Sequence, residues 1–122
     1  MTKPIRIWTV AVAAVVALAV AAPALAADAG FAGFWKVFTA AVAKDDKPAL
    51  AKMVVLSEMG DWSSSFAAFH AGGLKPAARR CLLKAKPDRD GEGNYNVNCG
   101  DLIYGFSKTG GVWKLAYVSP DD

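Results

Sequence analysis

His70 is the chain's only histidine, and Asp61 and Ser63 precede it within nine residues. An imidazole and a carboxylate this close in sequence can act as acid and base, so Asp61 and His70 define one option, a small pocket enzyme. A nucleophilic set would also need Ser63 on a Gly-x-Ser-x-Gly turn, which the sequence lacks. His70 stands two residues before Gly72, where an imidazole commonly meets the last carbonyls of a helix. A second constellation is Asp88-Arg89-Asp90-Gly91-Glu92-Gly93-Asn94. Asp88, Asp90, Glu92 and Gly93 fall at positions 1, 3, 5 and 6 of a calcium loop, but position 12, which needs a bidentate Glu, is Cys99. The expectation is a solvated turn rich in Asp, Gly and Asn. Gly91-Glu92-Gly93 lacks the third glycine and the preceding strand of a phosphate-cradling loop. One histidine and one cysteine pair are too few for a zinc site. Neither a metal nor a cofactor is expected.

Lys75, Arg79, Arg80, Lys84, Lys86 and Arg89 place six cations in fifteen residues, opposed only by Asp88. Lys75/Arg79 and Arg80/Lys84 are four apart and project from neighbouring stripes of a helix. Such a face is ordinarily solvated; its functional use would be docking to a lipid headgroup, a phosphate-bearing glycan or an acidic protein of the envelope. Among the aromatic residues, Trp35 and Trp113 are in phase with core faces. Trp62 lies in a break beside Glu58, Asp61 and three serines, where an aromatic side chain can close over a ligand. Trp62, His70 and Tyr104 therefore form the candidate ligand-binding set.

The compartment in which this chemistry would run is written at the start of the chain. Lys3 and Arg6 precede sixteen residues, 7 to 22, in which Thr9 is the only polar side chain. Pro23 breaks that run, and Ala24-Leu25-Ala26 offers small residues to a signal peptidase. Residues 1–26 are expected to be a cleaved signal peptide, and residues 27–122 a single small α+β domain that is periplasmic or secreted and has no membrane span. Without residues 1–26 the chain carries twelve basic and eleven acidic side chains, a net charge of about +1. That balance argues for no anionic partner overall, and no nucleic-acid partner is expected outside the cytoplasm. Cys81 and Cys99 are the only cysteines, an even number with no Cys-x-x-Cys spacing, so a structural disulfide is expected in an oxidising compartment.

Four helical patterns come first. Phe31, Phe34, Trp35, Phe38, Ala41 and Val42 recur three and four apart, and Asp45-Asp46 marks the stop. Asp46 can cap a second helix that has Pro48 in its first turn and Leu50, Met53 and Val54 on one side. Ser63-Ser64-Ser65 offers caps for a third helix through Phe66, Phe69 and His70, which Gly72-Gly73 ends. Pro76 opens a fourth, in which Ala77, Ala78, Cys81, Leu82 and Ala85 share a face, and Pro87 closes it. After the connector at 88–94 the period changes to two. Tyr95, Val97 and Cys99 alternate with polar residues, and Leu102, Tyr104 and Phe106 alternate again. Lys108-Thr109-Gly110-Gly111 reads as a hairpin loop, and Trp113, Leu115 and Tyr117 as the inner face of the last strand. The fold class is α+β: N-terminal helices packed on a small antiparallel sheet, with a C-terminal meander.

The helical segment Ala41-Val42-Ala43-Lys44-Asp45-Asp46-Lys47-Pro48-Ala49-Leu50 and the closing hairpin, residues 102–108 and 113–118, resemble small exported members of the nuclear-transport-factor-2-like superfamily. The resemblance implies a curved sheet wrapped around helices and a conical pocket between them. That superfamily hosts enzymes, binding modules and assembly domains, so it does not choose a function. The residues favour an exported envelope or periplasmic domain that binds a small molecule or another protein without catalysis; the alternative is the Asp61/His70 enzyme.

Overall fold

A computed structural model describes residues 30–120; the expected signal peptide at residues 1–26 lies outside them. Helix α1 covers residues 30–44 and stops at Asp45, the one non-glycine residue described with a left-handed backbone (φ 51°). The Asp45 N–H donates to the Val42 carbonyl at 3.1 Å and the Asp46 N–H to the Ala41 carbonyl at 2.9 Å. This is a Schellman closure with aspartate where glycine is usual. Asp46 then caps α2 (Lys47–Lys52), its carboxylate accepting the Ala49 N–H at 3.3 Å. Two 3-10 turns, Leu56–Glu58 and Gly60–Trp62, lead to α3 (Phe66–Gly73), where the Ser65 hydroxyl accepts the Ala68 N–H at 3.0 Å. Helix α4 (Pro76–Lys84) starts on its proline, whose missing N–H costs nothing in a first turn.

The strands form one antiparallel meander in the order β1-β2-β3-β4. They are β1 (Asp88–Arg89), β2 (Tyr95–Cys99), β3 (Leu102–Thr109) and β4 (Val112–Pro120). The α+β architecture and the helices-first order are as the periodicities indicated. Strand β1 was not: Asp88 and Arg89 pair with Asn96 and Tyr95 inside the segment read as a connector. Two residues are too few for alternation to show. The N-terminal half is also tied to the sheet by a short parallel bridge, in which the Leu115 N–H donates to the Met53 carbonyl at 2.8 Å and the Val55 N–H to the Leu115 carbonyl at 2.9 Å.

One expectation about the last strand is corrected. Leu115 pairs with Phe106 but Tyr117 pairs with Gly105, which leaves Ala116 as a bulge residue. The extra residue shifts the phase of everything after it. Tyr117 therefore lies on the outer face rather than the inner one, over Gly105, with its hydroxyl donating to Asn96 Oδ1 at 2.9 Å. Val118, opposite the buried Tyr104, takes the inner position.

The core sits between the inner sheet face and the helices. From α1, Phe34, Trp35 and Phe38 close around Phe106 of β3, with ring centroids 6.0, 5.4 and 5.4 Å from it. Phe69, Leu74, Leu82, Tyr104 and Leu115 are also buried. Cys81 on α4 and Cys99 at the end of β2 are joined by a disulfide, with Cα atoms 5.8 Å apart. The pairing expected from the cysteine count is the one found.

Candidate cleft beside the disulfide

An open cleft of about 440 Å³ lies beside the disulfide. Trp62 and Gly72 make one wall, Ala77, Ala78 and Cys81 of α4 the second, and Cys99 to Leu102 the third. Each wall has a local cause. Gly100 and Asp101 form the two-residue loop between β2 and β3, and Gly100 takes the positive φ of 64° that such a loop needs at its first position. Cys81 is held against that loop by its bond to Cys99. The Trp62 indole lies against Gly72, where a Cβ atom would overlap the ring, and meets Phe69 edge-on at 6.1 Å. Glycine inside a helix costs roughly 0.5–1 kcal/mol relative to alanine. Here it makes the seat for the tryptophan.

The cleft is lined mainly by apolar groups. Its two ionisable side chains, Lys75 and Asp101, are both exposed, and its two sulfur atoms are spent on each other. Such a lining can hold and orient a small, largely apolar molecule, but it presents no free thiol, imidazole or hydroxyl to attack one. Of the three candidate ligand-binding residues only Trp62 lines the cleft, and it does so as a packed wall rather than a loop side chain. Another concavity, of about 330 Å³, shares Trp62 and Leu102 with the cleft and includes Asp61.

Tyr104 is fully buried behind the cleft, and its hydroxyl donates to the Gly73 carbonyl at 2.5 Å. Burial pushes its phenol up to about 12 from the ordinary 10.0. Tyr104 thus anchors the end of α3 on which Trp62 rests, and its role is one of positioning.

No protein-family model, curated protein or solved structure matches this chain. The functional reading therefore rests on the geometry of these residues.

That geometry gives His70 a carboxylate partner other than Asp61. The Nε2 atom of His70 bonds Asp45 Oδ1 at 2.7 Å, twenty-five residues upstream. Arg79 lies 3.8 Å from the same oxygen and donates to the Leu74 carbonyl at 2.6 Å. This cluster clips the end of α1 to α3 and α4, and the unusual left-handed Asp45 is the residue that delivers the carboxylate. The His70 hydrogen bond is the main reason the Asp45 carboxyl sits below its ordinary 3.8; His70, Arg79 and Lys47 reinforce it electrostatically, and partial burial opposes. The clip's stabilising effect is present above that ordinary value and lost as pH falls through the lower native one. In the sequence Asp45 shows only as a helix stop, because nothing local links it to His70. Arg79 is likewise not part of a purely solvated face.

In the segment 88–94, Asp90 Oδ1 accepts the N–H groups of Glu92 and Asn94 at 2.8 and 3.0 Å, and the Asp90 N–H donates to the Asn94 carbonyl at 2.9 Å. The carboxylate that a calcium loop would aim inward thus closes a turn on itself. Among the described residues no group of three or more His, Cys, Asp or Glu side chains is arranged to hold a metal.

Proposed function

We propose that the protein is an exported envelope or periplasmic binding domain that holds a small, largely apolar molecule in the cleft beside the disulfide and performs no chemistry on it. The observation that carries this reading is the cleft's lining: an indole wall and a disulfide floor, with Lys75 and Asp101 as its only charges. Export is supported by the pattern of residues 1–26 and by the Cys81–Cys99 bond, which suits an oxidising compartment. The resemblance to nuclear-transport-factor-2-like domains belongs to the same proposal, since such domains keep a pocket between helices and sheet.

Two measurements test it. Intact-mass analysis of protein recovered after expression is expected to show loss of the first 26 residues. Recovery of the full chain from the membrane would contradict export. For binding, the probe is anilinonaphthalene sulfonate, whose rings suit the apolar walls and whose sulfonate suits Lys75. Trp62→Ala is expected to weaken dye binding by about tenfold, in line with the loss of one aromatic contact. Ala77→Phe, which fills the cleft from an exposed position, is expected to abolish it without touching the core. His70→Gln should leave it unchanged. Binding that survives Ala77→Phe would place the dye elsewhere and end the cleft reading.

A further inference from the structure

The charge of the domain is unevenly placed. After residues 1–26 are set aside, six of the twelve basic side chains fall within residues 75–89, which hold one acidic residue. The other 81 residues carry six basic and ten acidic side chains. A domain of nearly neutral net charge thus has one strongly cationic flank, and α4 presents it. Leu82 is buried on the inner side of this helix, and the Cys81–Cys99 bond holds it to β2, which fixes the face it turns outward. On that face Arg80 and Lys84 are exposed one turn apart, with Lys75 before the helix and Lys86 after it, also exposed. Among the described residues none of these four makes an ion pair. Leu83 stands between them with 45 % of its surface exposed.

We propose that the outer face of α4 docks on an anionic phospholipid surface, with Lys75, Arg80, Lys84 and Lys86 over the phosphates and Leu83 entering the headgroup layer. Charge complementarity favours an anionic partner. The leucine among the cations selects a partner that is anionic outside and apolar beneath, as a bilayer is and an acidic protein surface is not. A convex helix face also meets an extended surface better than one enclosed anion. The surface shares Lys75 with the cleft, but Arg80, Leu83 and Lys84 lie outside the cleft's lining, so variants at these three positions test it independently of the cleft.

The test is co-flotation of the purified chain with vesicles of phosphatidylcholine alone and of phosphatidylcholine mixed with phosphatidylglycerol. Each cation near an anionic surface is worth about fivefold in partitioning, so Arg80→Gln with Lys84→Gln is expected to lower binding to the mixed vesicles about 25-fold at low salt. Any contribution from residues 1–26 is common to all variants and drops out of the comparison. The charge-preserving pair Arg80→Lys with Lys84→Arg should bind as the wild type does. Leu83→Ser should weaken the binding that persists at about 0.15 M salt, where charge attraction is screened beyond roughly 8 Å. Equal binding by the wild type and the double glutamine variant would overturn the proposal, as would equal binding to both kinds of vesicle. Retention on polyglutamate together with full vesicle binding by Leu83→Ser would assign the face to an acidic protein instead.

Discussion

Replacing Cys81 and Cys99 together with serine is expected to lower the unfolding free energy by roughly 3 kcal/mol, read as a shift in denaturant midpoint. The seventeen residues between the two cysteines include the end of α4, all of β1 and most of β2. Cutting the link returns the freedom of that loop to the unfolded chain, while the folded state loses little beyond the bond itself. For a domain near 100 residues a loss of this size lowers the melting temperature on the order of 15 °C. A core of this size leaves a narrow margin, so the variant should be partly unfolded on mild heating. The same change removes the floor of the cleft, so dye affinity should fall together with stability. Reduction of the wild type should reproduce both effects. An unchanged midpoint, or two thiols titrating in the native protein, would show that the bond contributes nothing.

A second large effect is expected at alkaline pH and belongs to Tyr104. Its hydroxyl is a buried donor to the Gly73 carbonyl, and burial holds its pKa at about 12 in the folded protein against 10.0 in the unfolded chain. Between these values the unfolded chain releases the proton while the folded protein keeps it. The stabilisation is therefore complete below pH 10 and is lost as pH rises towards 12. Two units of difference correspond to roughly 2–3 kcal/mol. Tyr104→Phe should cost about 1–2 kcal/mol at neutral pH, because the buried Gly73 carbonyl loses its donor. The variant lacks the phenol, so it should not share this alkaline loss. The stability difference between the two proteins, followed by denaturant titration from pH 8 upward, should shrink and then reverse. The paired measurement removes the contributions of the other tyrosines and the lysines, which both proteins share. A difference that stays constant through pH 12 would refute this account.

Local chemistry in the chain determined the element types and the covalent framework. Asp46 and Ser65 as caps, Pro76 as a helix opener and the alternation in β2 and β3 act over a few residues, and each appears in the structure where its neighbours indicated. The cysteine pair was legible for a different reason: two cysteines allow one intramolecular pairing. Tertiary structure decided the rest. The bulge at Ala116 turned Tyr117 outward, and no residue type announces a bulge when alternation continues on both sides. Strand β1 exists because β2 offers an edge, not because Asp88 and Arg89 favour extended backbone. His70 was joined to Asp45 rather than to its sequence neighbour Asp61, since the partner depends on where α1 ends relative to α3. Gly72, read as a helix terminator, became the seat of Trp62 only when a 3-10 turn laid an indole across it. Caps, turns and periodicity are decided by interactions a few residues long, whereas side-chain partners and cleft walls depend on how whole elements pack, and that information is spread along the chain rather than held at any one position.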